Sequence, residues 1–127
     1  MESRMNTKNE RFNKEEGYFI GVGTHKAATT LIYELLKNHP QLNIGKDKEL
    51  HYFDNTDSPS IEEYDQLFVG STGIKFEITP VYIYYKDALE KIASVLKNKK
   101  KKILIVLRNP VKAAQAHYFF SMNNGLE

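Results

Sequence analysis

Three groups of residues in this chain have the types and spacing to handle an anion and move a proton. The first is Lys26 with Thr29 and Thr30, inside YFIGVGTHKAATT at 18–30. A lysine in a strand-to-helix loop adds a full charge to the unpaired N–H groups and positive dipole end of a helix start. Two threonines add hydroxyl donors, so a phosphate or sulfate is the natural ligand. The second group is Arg108-Asn109-Pro110. An arginine leaving an apolar strand just before a helix start can clamp a phosphate with its planar fork. The third is Glu49 and His51 in KDKELHYF, either of which can serve as a general base. Each also has a plain structural reading: a surface lysine in a turn, an arginine paired with a carboxylate, a solvated charge run with a structural histidine.

The loop departs from two common nucleotide patterns. G-x-x-x-x-G-K-[ST] requires glycine before the lysine, and here His25 precedes Lys26. The dinucleotide fingerprint needs a third glycine where Lys26 stands. The other histidines carry less. His25 is a loop side chain, His39 suits a helix C-terminus, and His117 on the last helix fits either core or site.

These groups need elements to position them. Phe19, Ile20 and Val22 form a short apolar strand, and LIYELLKNHP continues as a helix. Leu31 with Leu35 and Ile32 with Leu36, at i and i+4, predict one apolar helix face. Pro40 closes that helix. Residues 41–60 read as mostly irregular and 61–68 as a short helix. GIKFEITP at 73–80 reads as a strand stopped by Pro80. Tyr85, Leu89, Ile92 and Leu96 follow helical spacing over 84–97. KILIVL at 102–107 is continuously apolar, as expected of a parallel strand covered on both faces. Asn109 and Pro110 then suit the N-cap and first turn of a helix over 110–122. Strand and helix alternate three times, which predicts an α/β sandwich around a parallel sheet. Right-handed crossovers would place Lys26 and Arg108 at the same sheet edge, at the carboxyl ends of the strands, where ligands of such sheets bind.

Composition narrows the classes. The 127 residues predict one domain, with residues 1–16 as a polar, disordered tail. A net charge of +2 does not argue for nucleic acid, and the basic run Lys99–Lys102 reads as a solvated turn. The absence of cysteine excludes disulfides and thiolate metal sites. With no long apolar run and a polar N-terminus, the expected location is the cytoplasm, with no membrane partner.

Four segments in order resemble the sulfotransferases of the bacterial type and are similar to the heparan sulfate sulfotransferases. They are FIGVGTHKAATTLIYELLKNHPQL, KELHYFD, EITPVY at 77–82 and ILIVLRNPVKAAQAHYFF. The resemblance covers residues 18–127 and implies a P-loop-like, three-layer α/β sandwich. Residues 17–127 would then be the N-terminal portion of the domain, incomplete on its C-terminal side. It implies transfer of a sulfuryl group from 3′-phosphoadenosine 5′-phosphosulfate to a hydroxyl or amine of a carbohydrate or small molecule, with no metal. The 5′-phosphosulfate would lie on Lys26, Ala27, Ala28, Thr29 and Thr30, with Lys26 also catalytic. Arg108 and the position of Ala116 would meet the 3′-phosphate, and Glu49 would be the base.

Three features depart from that family. Ala28 stands where glycine is usual. Ala116 replaces a serine whose hydrogen bond to the phosphate would be worth about 1.5–3 kcal/mol. The chain ends at Glu127, before the glycine-rich basic loop that covers the nucleotide. Two expectations follow: a sulfotransferase, or a non-catalytic remnant that at most binds nucleotide or a partner. An uncovered sheet edge would favour self-association.

Overall fold

The computed structural model describes residues 16–123, except the side chains of Ala113, Ala116 and His117. The expected tail lies almost wholly outside the described residues. Four parallel strands form one sheet: β1 (Gly17–Gly23), β2 (Leu42–Ile44), β3 (Ile74–Ile78) and β4 (Lys101–Ile105), in the order β2-β3-β1-β4. The helices are α1 (Thr29–Leu36), α2 (Tyr52–Asn55), α3 (Ile61–Asp65), α4 (Lys86–Val95) and α5 (Pro110–Asn123), with a 3-10 turn at Pro80–Tyr84. This is the α/β architecture that the alternation predicts.

Side chains alternate across β1 and β3 because a strand's period is two. One face of the sheet carries Tyr18, Ile20 and Val22, packed with Phe53 of α2, Tyr64 of α3 and Phe68 after it, Tyr82 of the 3-10 turn, and Ala88, Ile92 and the C-cap Leu96 of α4. The other carries Phe76 and Ile78, packed with Tyr33 of α1 and flanked by Phe19, Ile32 and Leu36. Sheet and helices therefore form three layers. α1 follows β1 on one face and α4 precedes β4 on the other. The chain leaves β1 to build one side of the sheet and returns to build the other. The carboxyl ends of β1 and β3 flank that reversal, the place where α/β sheets bind ligands, and β4 lies beside β1.

Several elements differ from the sequence expectation. Residues 41–60, read as mostly irregular, hold β2 and α2. β2 is only three residues long, too short to show a period. On α1 the inward set is Ile32, Tyr33 and Leu36, while Leu31 and Leu35 are 59% and 71% exposed. Two i, i+4 apolar pairs on adjacent positions cannot both face one sheet, and Tyr33 decides which does. On α4, Ala88 joins Ile92 and Leu96 in the core, whereas Tyr85 is exposed. β4 is a parallel strand but is not covered on both faces: Ile103 is 46% and Ile105 50% exposed. It is the edge strand, so its apolar run faces solvent in this structure.

Candidate functional site

The loop after β1 is fastened to the segment after β4. Val106 N donates to Gly23 O (2.8 Å), and Thr24 N and Oγ1 both donate to Val106 O (2.9 and 2.8 Å). A Cβ on Gly23 would sit 2.5 Å from Ile83 Cγ2, so the loop's approach to the 3-10 turn requires glycine there. Lys26 and Ala28 both adopt the left-handed region, each with φ 61. Ala28 is the N-cap of α1 and gives no side-chain cap, which leaves the helix start to other acceptors. Thr29 is buried beneath it.

Arg108 Nη1 donates to Lys26 O at 2.8 Å, so the two ends predicted to share a sheet edge are in direct contact. α5 begins as expected: Asn109 Oδ1 accepts from Val111 N (2.9 Å) and Lys112 N (3.3 Å). That cap fixes the chain just past Arg108. From α5, the Phe120 ring lies 3.5 Å below Lys26 Nζ, a cation–π contact. A further cation joins the loop from the other side: Lys48 Nζ donates to Thr30 Oγ1 at 2.6 Å. Lys26, Lys48 and Arg108 thus surround one helix start. Ala27 is buried, and Ala116 lies on α5 with its side chain outside the described residues.

Glu49 and His51 sit on the turn that enters α2. His51 is itself left-handed (φ 51) and heads the helix. Its Nε2 lies 3.0 Å from Glu49 Oε2 and its Nδ1 2.9 Å from Asp54 Oδ2. Both partners are carboxylates, which accept but do not donate when ionised, so the ring is best served with a proton on each nitrogen. Desolvation pulls its pKa down, but hydrogen bonds and charge from Asp54, then from Glu49, outweigh it and hold the imidazole above its ordinary value. His51 thus joins two acids at a cleft.

That cleft has a volume of about 570 Å³ and is lined by His25, Lys26, Glu49, His51, Pro80, Val81 and Tyr84. The lysine and the glutamate picked from sequence line the same space. Sequence reasoning missed Lys48 and Asp54, and left EITPVY without a residue role. Lys48 reads as one member of a charge run, and nothing in its spacing signals that it reaches Thr30. Asp54 stands three residues after His51, and that spacing on one helical turn is a signal that was available. Among the described residues no cluster of three or more His, Cys, Asp or Glu is arranged to hold a metal. None of the helices among them is long and apolar enough to cross a membrane.

No family model matches the chain. It is 33% identical over 109 residues to the membrane-associated sulfotransferase kil1 of Dictyostelium discoideum, an alignment covering 82% of this chain and 23% of that protein. It is 29% identical over 102 residues to the human heparan sulfate glucosamine 3-O-sulfotransferase 3B1, covering 78% of this chain and 25% of the relative. The fold also superposes on the crystal structure of a sulfotransferase from Alicyclobacillus acidocaldarius, with a TM-score of 0.70 and 26% identity over 89% of this chain and 52% of that one. The chain belongs to the sulfotransferase family. It spans about a quarter of the length of these curated relatives and about half of the solved chain.

Proposed function

We propose that this chain carries the donor-binding and base-bearing part of a sulfotransferase that uses 3′-phosphoadenosine 5′-phosphosulfate and a hydroxyl or amine acceptor. The observation that carries the reading is the shared cleft, whose lining includes both Lys26 and Glu49. The residues present fit a phosphosulfate group. An uncapped helix start offers N–H donors, and Lys26, Lys48 and Arg108 bring positive charge around it.

The donor, when bound, supplies the sulfuryl group: a bond forms from the acceptor to sulfur as the sulfur–oxygen bond to the 5′-phosphate breaks, and that oxygen keeps the electron pair. Lys26 and the first-turn N–H groups of α1 stabilise the charge left on the phosphate. Lys48, held on Thr30, adds to the same field. Glu49 takes the proton from an acceptor hydroxyl, and the doubly donating His51 keeps its carboxylate in place. Arg108 holds the 3′ end of the nucleotide and, through Lys26 O, the loop itself. Ala116 marks the family's serine position and contributes no hydroxyl there.

One observation favours a second reading, in which the chain binds nucleotide without turning it over: Lys26 already rests on the Phe120 ring. A transfer assay separates the two. Incubation with labelled donor and a panel of hydroxyl and amine acceptors should give a sulfated product, and Glu49→Gln should slow transfer to a hydroxyl by about 100-fold or more. Undiminished transfer by Glu49→Gln would remove Glu49 as the base. Nucleotide binding without any product would leave the second reading.

A further inference from the structure

Glu77 is a carboxyl in the aromatic core. It occupies β3 between Phe76 and Ile78, which face α1, so it points to the opposite face, among Tyr64, Tyr82 and Phe53. It is 1% exposed. Burying a charge among rings is costly unless the group is paired or neutral. Yet no cation meets it in the described residues. Its Oε1 accepts from Thr79 Oγ1 at 3.2 Å, while Oε2 has no hydrogen-bond partner. The Tyr64 and Tyr82 hydroxyls face the same carboxyl.

What lies above this carboxyl is the site. Thr79 Oγ1 spends its proton on Glu77 and accepts the backbone N–H of His51 at 3.4 Å. Tyr82 OH accepts the backbone N–H groups of Tyr52 (3.1 Å) and Phe53 (3.5 Å). Three successive N–H groups at the head of α2 are therefore received by two hydroxyls. Of the two, the Thr79 hydroxyl is the one whose proton lies on Glu77. Those N–H groups follow the left-handed His51, whose ring bridges Glu49 and Asp54.

We propose that Glu77 is a positioning residue for the Glu49–His51–Asp54 turn, acting through the hydroxyl of Thr79 on the backbone N–H of His51. Without the acceptor at Glu77, the Thr79 hydroxyl loses the partner that keeps its lone pair toward the turn. His51 then loses the orientation in which both ring nitrogens meet a carboxylate. The positioning is read from this chain alone; only its consequence for transfer rests on the sulfotransferase reading above.

The charged and titratable groups facing these two residues are few. Around Glu77 stand Asp54, Tyr64 and Tyr82. Around His51 stand Glu49 and Asp54 on its own turn, with His25 and Lys26 across the cleft.

The test is an NMR titration of the His51 ring in the full chain, in the wild type, Glu77→Leu and Glu77→Gln. Leucine removes the acceptor but suits the aromatic surroundings, so Glu77→Leu should still fold. Its His51 pKa should fall toward the ordinary value by at least about half a unit. Glutamine keeps an acceptor oxygen and should leave His51 as in the wild type. A folded Glu77→Leu with wild-type His51 titration would overturn the proposal, as would a Glu77→Gln shifted as far as the leucine variant. If Glu77→Leu does not fold, Thr79→Val, with Thr79→Ser as its rescue, is read by the same criterion. Lack of nucleotide binding by the wild type would sink the sulfotransferase reading and leave this result standing.

Discussion

Ala28 holds a left-handed backbone (φ 61, ψ 28) at the head of α1, where a side chain with Cβ is strained by about 1 kcal/mol or more. The sequence already marked this position as one where the family has glycine, and the geometry gives the reason. Ala28→Gly should raise stability by about 1 kcal/mol, measurable as a higher urea midpoint with an unchanged slope. Two other residues make stability depend on pH in the same direction. His51 has a raised pKa, so its contacts with Asp54 and Glu49 stabilise fully below its unfolded value, near 6.5, and fade as pH rises through its folded value. Burial pushes the Glu77 carboxyl up from 4.5 to about 7, against weaker pulls from Tyr82, Tyr64 and Thr79. The folded state thus prefers it protonated, and stability is lost between pH 4.5 and about 7, by a few kcal/mol at most at ~1.4 kcal/mol per unit. The melting temperature should fall from pH 5 to pH 8. Glu77→Gln should flatten the part of that fall below pH 7, and an identical slope in that variant would contradict the account.

At the scale of elements, exposure separates the two apolar strands that looked alike in sequence. Ile20 on β1 is fully buried between strands and helices, while Ile105 on β4 is half exposed at the sheet edge. Ile20→Ala should cost about 2–5 kcal/mol and Ile105→Ala less than about 1 kcal/mol in chemical denaturation. Equal costs would mean that β4 is covered in solution. This difference was not legible in KILIVL, because an apolar run reports what a strand is suited to pack against and not whether that partner is in place. The strand–loop–helix unit around Lys26 and the start of α5 were legible, since glycine, threonine, asparagine and proline have local conformational reasons to be where they are. β2 was not, because three residues carry no readable period. Glu77 was not, because a glutamate between Phe76 and Ile78 has the alternation of a strand with one face in water. Only the tertiary packing of Tyr64 and Tyr82 turns that face into core.

For the molecule as a whole, the sheet order brings the loop after β1, the turn before α2 and the segment after β4 to one end of the sheet. The strand alternation already put Lys26 and Arg108 at one sheet edge, and the fold adds Glu49 to the cleft that Lys26 lines. Lys48 needed the fold, because its contact with Thr30 joins residues whose separation in sequence has no pattern. The central claim is that this end of the molecule holds an adenosine nucleotide by its phosphates. Isothermal titration of the chain with adenosine 3′,5′-bisphosphate tests it most directly. The account predicts saturable one-to-one binding that weakens by about tenfold or more in both Lys26→Ala and Arg108→Ala, each folded as the wild type. No heat of binding at millimolar nucleotide, or binding that both variants retain in full, would contradict it.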